Sequence, residues 1–346
     1  MEDYSKNIIK SGCTILDALK ALNDLHTKYM DLFVEDPDGK VIGVVTDGDL
    51  RRGIISGAQL TDSVDTVMNK NFVYFKNENI NLQELKKYKS KGISLIPVLD
   101  ENGKSHKIFN IGLLKSILPV DAVLMAGGKG ERLRPLTEKT PKPLLPVGNK
   151  AIIDHNVDRL ISYGINHINV TVNYLKEQIE EHYKEPRNGV KVLTVREPKY
   201  LGTIGSVKFV KEFYNDTILV MNSDLFTNID YEDFFLHFQE HDAEMSVAAV
   251  PYNISIPYGI LDLEGRNIKG LLEKPQYNHY ANAGIYLIKR RALEEIPDGD
   301  FFNATDLVEK LISEGKSVIR YPLNGTWIDI GNPQEYQKAQ DLAKHL

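Results

Sequence analysis

The sequence predicts an α/β protein: a mostly parallel sheet covered by helices, preceded by a smaller appendage of two repeated units. Three observations carry this. From Asp121 onward, short apolar runs alternate with longer helical segments, the pattern of strands joined by crossover helices. A glycine-rich turn, with Gly127, Gly128 and Gly130, follows directly on an apolar run that ends at Ala126, and Arg132, Arg134 and Lys142 come soon after. Residues 1–118 instead hold two shorter helix-then-strand units that recur at roughly 60 residues.

In the appendage, residues 15–25 read as an amphipathic helix and 31–35 as a strand. A second strand, 41–46, follows the turn Asp38-Gly39. Residues 81–91 and 94–99 repeat the helix-strand order, and 100–103 repeat the turn. Pro119 marks the boundary. Beyond it, 122–126 is a strand, 152–163 a helix, 167–172 a strand, 175–183 a helix and 190–196 a strand. A helix at 207–213 and a strand at 217–222 continue the alternation. The last helix, 335–343, starts from Asn332 before Pro333, an N-cap followed by the proline that suits a first turn. Domains are therefore expected at 1–60, 61–118 and 121–346.

The bulk numbers narrow the function. At 346 residues the chain is long enough for about two domains. Hydrophobic and charged fractions of 42% and 26% are those of an ordinary globular protein. The longest apolar runs are shorter than a membrane span, and MEDYSKNIIKSG lacks the apolar core of a signal peptide. The single cysteine, Cys13, excludes an internal disulfide. No membrane association and a cytoplasmic location are expected. A net charge of −6 argues against a nucleic-acid partner. It does not argue against a small phosphorylated ligand, which responds to the local cluster of Lys129, Arg132, Arg134 and Lys142.

The glycine turn is built for a polyphosphate, because glycines let backbone N–H groups approach phosphate oxygens and the cations neutralise the concentrated charge. A dinucleotide fingerprint fails, since Leu133 stands where the third glycine is needed. The P-loop spacing fails as well. One decoy, His237 to His241, matches the H-x-x-E-H pattern of a zinc peptidase group, but its acidic and aromatic neighbours read as a surface helix.

Residues 121–346 resemble the sugar-phosphate nucleotidyltransferases, whose fold is a Rossmann-like, GT-A-like nucleotide-binding domain. Five separated motifs carry the resemblance in the family's order: LMAGGKGERLRPLT with PKPLLPV, YLGTIGS, MNSD, LLEKP with NAGIY, and WIDIG. The resemblance implies in-line attack of a sugar 1-phosphate on the α-phosphate of a nucleoside triphosphate, with pyrophosphate leaving. The nucleophile is already an anion, so the task is to bring two polyanions together and stabilise their charge. By resemblance, Arg132 holds the triphosphate and Lys142 sits between the reacting phosphates. The turn from Ala126 through Gly127, Gly128 and Gly130 approaches the nucleotide, and Gly202 lies against base or ribose. Lys274 takes the phosphate of the sugar, Glu273 the sugar hydroxyls, and Asn282 and Gly284 line the sugar pocket. Asp224 and Asp329 share a Mg²⁺.

The runs EPKYLGTIGS, MNSD and WIDIGNPQEY are most similar to guanylyltransferases acting on mannose, heptose or hexosamine 1-phosphates, so GTP is favoured, with UTP second and CTP third. Residues 8–52 resemble a cystathionine-β-synthase (CBS) repeat through TILDAL and GVVTDGDLRR. In that family Thr46 and Asp49 would bind the ribose of an adenine or guanine nucleotide. The second unit lacks both residue types at the matching places, so one ribose site at most is expected, and a purely structural pair is the alternative. CBS pairs often associate, which makes a homo-oligomer the expectation. The fusion resembles the glucosamine-1-phosphate guanylyltransferases that feed legionaminic acid synthesis. A non-catalytic nucleotide sensor or assembly protein is the competing class; the joint presence of Arg132, Lys142, Asp224, Lys274 and Asp329 argues for the enzyme.

Overall fold

In the computed structural model the chain divides into two compact units, Met1–Leu118 with Ser162–Gly164, and Pro119–Ile161 with Ile165–Leu346. The structure describes residues 4–25, 29–76 and 82–344. No helix among them is long and apolar enough to cross a membrane.

The first unit opens with a three-stranded sheet, Ile8–Lys10, Asp31–Glu35 and Val41–Thr46, parallel then antiparallel. The helix Ile15–Asp24 begins in a capping box: the Thr14 side chain accepts from the Asp17 amide, and the Asp17 side chain accepts from the Thr14 amide. Its buried face, Ile15, Ala18 and Leu22, packs with Leu32, Val34 and Val45 of the sheet. A second hairpin, Leu95–Leu99 with Ser105–Asn110, has the helix Leu82–Ser90 beside it, where Leu85 meets Ile96 and Ile111. The expected helix start at Asn81 lies outside the described residues. Two turns of this unit share one hydrogen-bond pattern. Asp36 Oδ1 accepts from the Lys40 amide at 2.9 Å, and Asp100 Oδ1 accepts from the Lys104 amide at 2.8 Å.

The main sheet of the second unit has seven strands: β1 (Val120–Ala126), β2 (Ile168–Val172), β3 (Val192–Arg196), β4 (Thr217–Asn222), β5 (Met245–Ser255), β6 (Gln276–Lys289) and β7 (Val318–Pro322). They lie in the order β3-β2-β1-β4-β6-β5-β7. The first four are parallel, β6 is antiparallel to both β4 and β5, and β7 is parallel to β5. Every residue of β2 is buried, as expected for a parallel strand covered on both faces. Val123, Ile218, Val220 and Ile288 of the sheet pack with Leu307 and Leu311 of the helix Ala304–Ser313. The fold class read from the sequence is the one observed.

One element differs. Residues 207–213 were expected as a helix, and only a short 3₁₀ helix forms, Gly205–Phe209. Gly205 and the β-branched Val207 and Val210 are poor helix formers, and with few residues to propagate through, nucleation is not repaid. The last helix, Pro333–Ala343, starts as expected, with the Asn332 side chain accepting from the Glu335 amide at 3.0 Å.

Candidate active site

All four parallel strands direct their carboxyl ends to one place. Gly127 follows β1, Asn173 follows β2, Glu197 follows β3, and Ser223 and Asp224 follow β4; all line a cavity of about 680 Å³. Ligands of open α/β sheets bind at such strand ends, and the volume is in the range of small-molecule sites.

The loop after β1 is folded back on itself. The Thr137 hydroxyl donates to the Gly130 carbonyl at 2.8 Å, and the Tyr174 hydroxyl donates to the Thr137 carbonyl at 3.0 Å. This fold delivers Lys142, on a single 3₁₀ turn after Pro141, to the cavity with only 8% of its surface exposed. Its ammonium contacts the Asp224 carboxylate through Oδ2 and lies 4.0 Å from Asp329 Oδ1. The other Asp224 oxygen, Oδ1, is buried without a hydrogen-bond partner. Asp329 reaches this point because its short strand, Trp327–Asp329, pairs with Leu225–Thr227 in a register that sets Asp329 opposite Leu225. Burial, and then the charge of Asp224, push the Asp329 carboxyl above its ordinary value, while Lys142 and Arg132 pull against them. The Arg132 guanidinium lies against Gly331, where an added Cβ would sit 3.0 Å from its Nη2.

On the far side, Gly202 has φ +80° and an added Cβ would lie 2.6 Å from the Phe302 carbonyl oxygen. No other residue type fits there without strain. The cavity lining thus unites Ala126, Gly127, Gly128, Gly130, Arg132, Lys142, Gly202, Asp224 and Asp329.

The other candidates lie outside that lining. Glu273 and Lys274 are exposed, after the strand Asn267–Leu272. Asn282 and Gly284 belong to an irregularity in the β5–β6 pairing: Asn282 donates to the Tyr286 hydroxyl at 2.9 Å and accepts from the Gly284 amide at 2.9 Å. Gly284 backs onto the side chain of Asn222, which lines the cavity. Between them the Ala283 carbonyl accepts from the Trp327 indole at 2.9 Å. In the first unit, Thr46 and Asp49 form a capping box at the start of the helix Asp47–Ile55, and Arg52 donates to Asp49 Oδ1 at 2.6 Å.

Sequence reading passed over Glu197. It is a buried carboxylate at the end of β3, and it occupies the space that a side chain at Gly127 would need. Burial raises its pKa, against the Leu201 amide and the Ser206 hydroxyl, which hold it down. The available signal was an acid directly after the strand Val192–Arg196 and five residues before Gly202.

The nucleotidyl transferase family model matches residues 121–345, and a CBS domain model matches residues 7–56. The catalytic subunit beta of mannose-1-phosphate guanylyltransferase from Xenopus tropicalis is 30% identical over 224 residues, 62% of this chain and 62% of that protein. The bifunctional protein GlmU of Methanococcus maripaludis is 32% identical over 233 residues, 64% of this chain and 54% of that protein. The chain therefore spans less than two thirds of the length of these curated relatives. Among solved structures, HddC from Yersinia pseudotuberculosis complexed with GMP-PN superposes with a TM-score of 0.52 at 25% identity, over 64% of this chain and 98% of that one. Because the family match takes in the whole lining of the strand-end cavity, from Met125 to Gly331, the chain belongs to the nucleotidyl transferase family.

Proposed function

We propose that the chain transfers a nucleoside monophosphate from GTP to a sugar 1-phosphate and releases pyrophosphate. The observation that carries this is the buried Lys142 set between Asp224 and Asp329 at the end of the glycine loop. A cation held there needs no general base around it, because the sugar phosphate is already the nucleophile. Lys142 exchanges its carboxylate contact for phosphate oxygens and stabilises charge as it builds between the two substrates. Arg132, on the rim beside Gly331, holds the departing pyrophosphate, and the backbone of Gly127 and Gly128 lets phosphate oxygens come close.

Asp224 and Asp329 suit Mg²⁺, a hard cation that takes oxygen ligands, and the unpartnered Asp224 Oδ1 is a buried acceptor free for it. When bound, Mg²⁺ neutralises charge on the triphosphate. The sugar end is assigned to Asn282 and Gly284, beside Asn222, with Glu273 and Lys274 as the groups that meet sugar and phosphate.

Glu197 supports guanine. An ionised carboxylate only accepts hydrogen bonds, and guanine offers N1–H and the exocyclic amine side by side. Uracil offers one N–H between two carbonyl oxygens, which a carboxylate repels. The GMP-PN in the HddC structure and the guanylyltransferase names among the relatives support the same base. For the sugar we favour glucosamine 1-phosphate, as in the legionaminic acid type, with mannose 1-phosphate next. In the first unit, Thr46 and Asp49 are the candidate ribose contacts for a regulatory adenine or guanine nucleotide.

The test is pyrophosphate release by the full chain with GTP, UTP, CTP or ATP, Mg²⁺ and a panel of sugar 1-phosphates. GTP is expected to support the fastest turnover; no turnover with any pair refutes the reading. Asp224→Asn is expected to abolish turnover with the circular dichroism spectrum unchanged, and an active variant removes its assigned metal role.

A further inference from the structure

Asp224 and Asp329 stand on one short ribbon. The strand Leu225–Thr227 begins directly after Asp224 and pairs antiparallel with Trp327–Asp329, Leu225 opposite Asp329 and Thr227 opposite Trp327. The Ile330 amide adds a rung by donating to the Asp224 carbonyl at 3.2 Å. Both carboxylates therefore belong to the same end of the ribbon, and whatever moves Leu225 moves the pair. Two-stranded ribbons are marginal on their own in water. This one must also keep two carboxylates, which repel each other, beside one ammonium.

The ribbon is anchored on the helix Ile152–Ser162. Phe226, Ile328 and Ile330 are buried in one cluster with Ile152, at the start of that helix. One turn further on, Asn156 donates through Nδ2 to the Leu225 carbonyl at 2.8 Å and to the Ser223 carbonyl at 3.4 Å. Arg159, three residues on and on the same helix face, donates through Nε to the Ile229 carbonyl at 3.0 Å and through Nη2 to the Asn228 carbonyl. Asn228 closes the far end. Its amide donates to the Thr326 carbonyl at 3.1 Å, and its Oδ1 accepts from the Thr326 amide at 2.8 Å.

Asn156 is 1% exposed and lies outside the cavity lining. A buried amide costs free energy unless its hydrogen bonds are made, and an aliphatic side chain would fill the same space. What the amide adds is direction. The Ser223 and Leu225 carbonyls turn to one NH₂ group, which fixes the backbone of the residue between them, Asp224.

We propose that Asn156 is a positioning residue. It holds the Asp224 backbone, and through the Leu225–Asp329 pairing the second carboxylate, at the separation that one shared divalent cation needs. This rests on the assignment of Asp224 and Asp329 to the metal. Groups behind metal ligands typically change affinity by roughly 10–100-fold when removed.

The experiment is binding of Mn²⁺, an oxygen-liganded stand-in for Mg²⁺, to the nucleotide-free full chain. The electron paramagnetic resonance signal of free Mn²⁺ is followed for the wild type, Asn156→Leu and Asp224→Asn. The relevant binding step is the one that Asp224→Asn removes. Asn156→Leu is expected to weaken that step by roughly 10–100-fold. It is expected to raise the Mg²⁺ concentration for half-maximal pyrophosphate release by a similar factor, with most of the turnover restored at saturating Mg²⁺. A lower melting temperature with unchanged Mn²⁺ binding marks Asn156 as a packing residue and overturns the inference. If Asp224→Asn removes no binding step, the metal assignment itself fails and takes the inference with it. Should Asn156→Leu misfold, Asn228→Ala tests the same ribbon from its exposed end. Weaker Mn²⁺ binding is expected there too, and unchanged binding overturns the proposal.

Discussion

At the scale of single residues, the site is a set of close approaches that dictate residue type. Glu197 and Gly127 form one such pair, because the carboxylate occupies the place of the missing Cβ. Glu197→Gln replaces one acceptor by a donor and sets it against a guanine donor, at about 1–3 kcal/mol for a buried mismatch. The expected result is a loss of roughly 10–100-fold in kcat/KM for GTP, with a smaller loss for UTP, read from steady-state kinetics with both nucleotides. Gly202 is a second case. Gly202→Ala must hold alanine at positive φ against the Phe302 carbonyl, which is expected to cost about 1–3 kcal/mol, measured as a lower urea midpoint. Gly127 and Gly202 were both singled out from the sequence, and both line the strand-end cavity. Glu197 was not, because its importance comes from β3 lying next to β2 in the sheet, a long-range pairing that no local pattern announces.

At the scale of elements, strands were read most securely and short helices least. The parallel strands are short runs rich in Val, Ile and Leu whose length leaves little choice, whereas 205–209 carries helix-like spacing but poor helix formers. A less legible device joins the helix Ile152–Ser162 to the turn at Arg187. Asp154 is buried, accepts from His182 Nε2 at 2.9 Å and from the Tyr183 hydroxyl at 3.0 Å, and forms an ion pair with Arg187 at 3.0 Å. Arg187 also donates to Asp158 at 2.6 and 2.9 Å, and Lys150 adds a contact at 2.7 Å. Burial pushes the Asp158 carboxyl up, but Arg187 and Lys150 outweigh it and hold it below the ordinary value. Arg187→Met strands two carboxylates and is expected to cost about 2–3 kcal/mol at neutral pH, the lower end for a buried pair because Arg187 keeps a quarter of its side-chain surface in water. The sign with pH follows. A carboxyl held low in the folded state adds stability above its unfolded value of about 4, and that stability is lost as pH falls through the lower folded value. The difference in melting temperature between wild type and variant is therefore expected to be full at pH 7 and to shrink below pH ~4. A difference that persists undiminished at pH 2 counts against the ion pairs as its source.

At the scale of the whole molecule, the two units have their own cores, and the strand-end cavity lies in the second. In the sequence the expected boundary is a change of rhythm at Pro119. Binding in that cavity has a thermodynamic signature: GTP at 100 times its Kd there is expected to stabilise the second unit by about 2.7 kcal/mol, read as a rise in its melting temperature. The chain supplies the means of seeing this selectively. Trp327 is its only tryptophan, and the indole is hydrogen-bonded to the Ala283 carbonyl, two residues along the strand from Asp329. Excitation at the red edge of protein absorbance therefore addresses one seam, where β6 meets the strand that bears Asp329. Intrinsic emission becomes a site-specific gauge, blind to the first unit and responsive to loading of the cavity beside it.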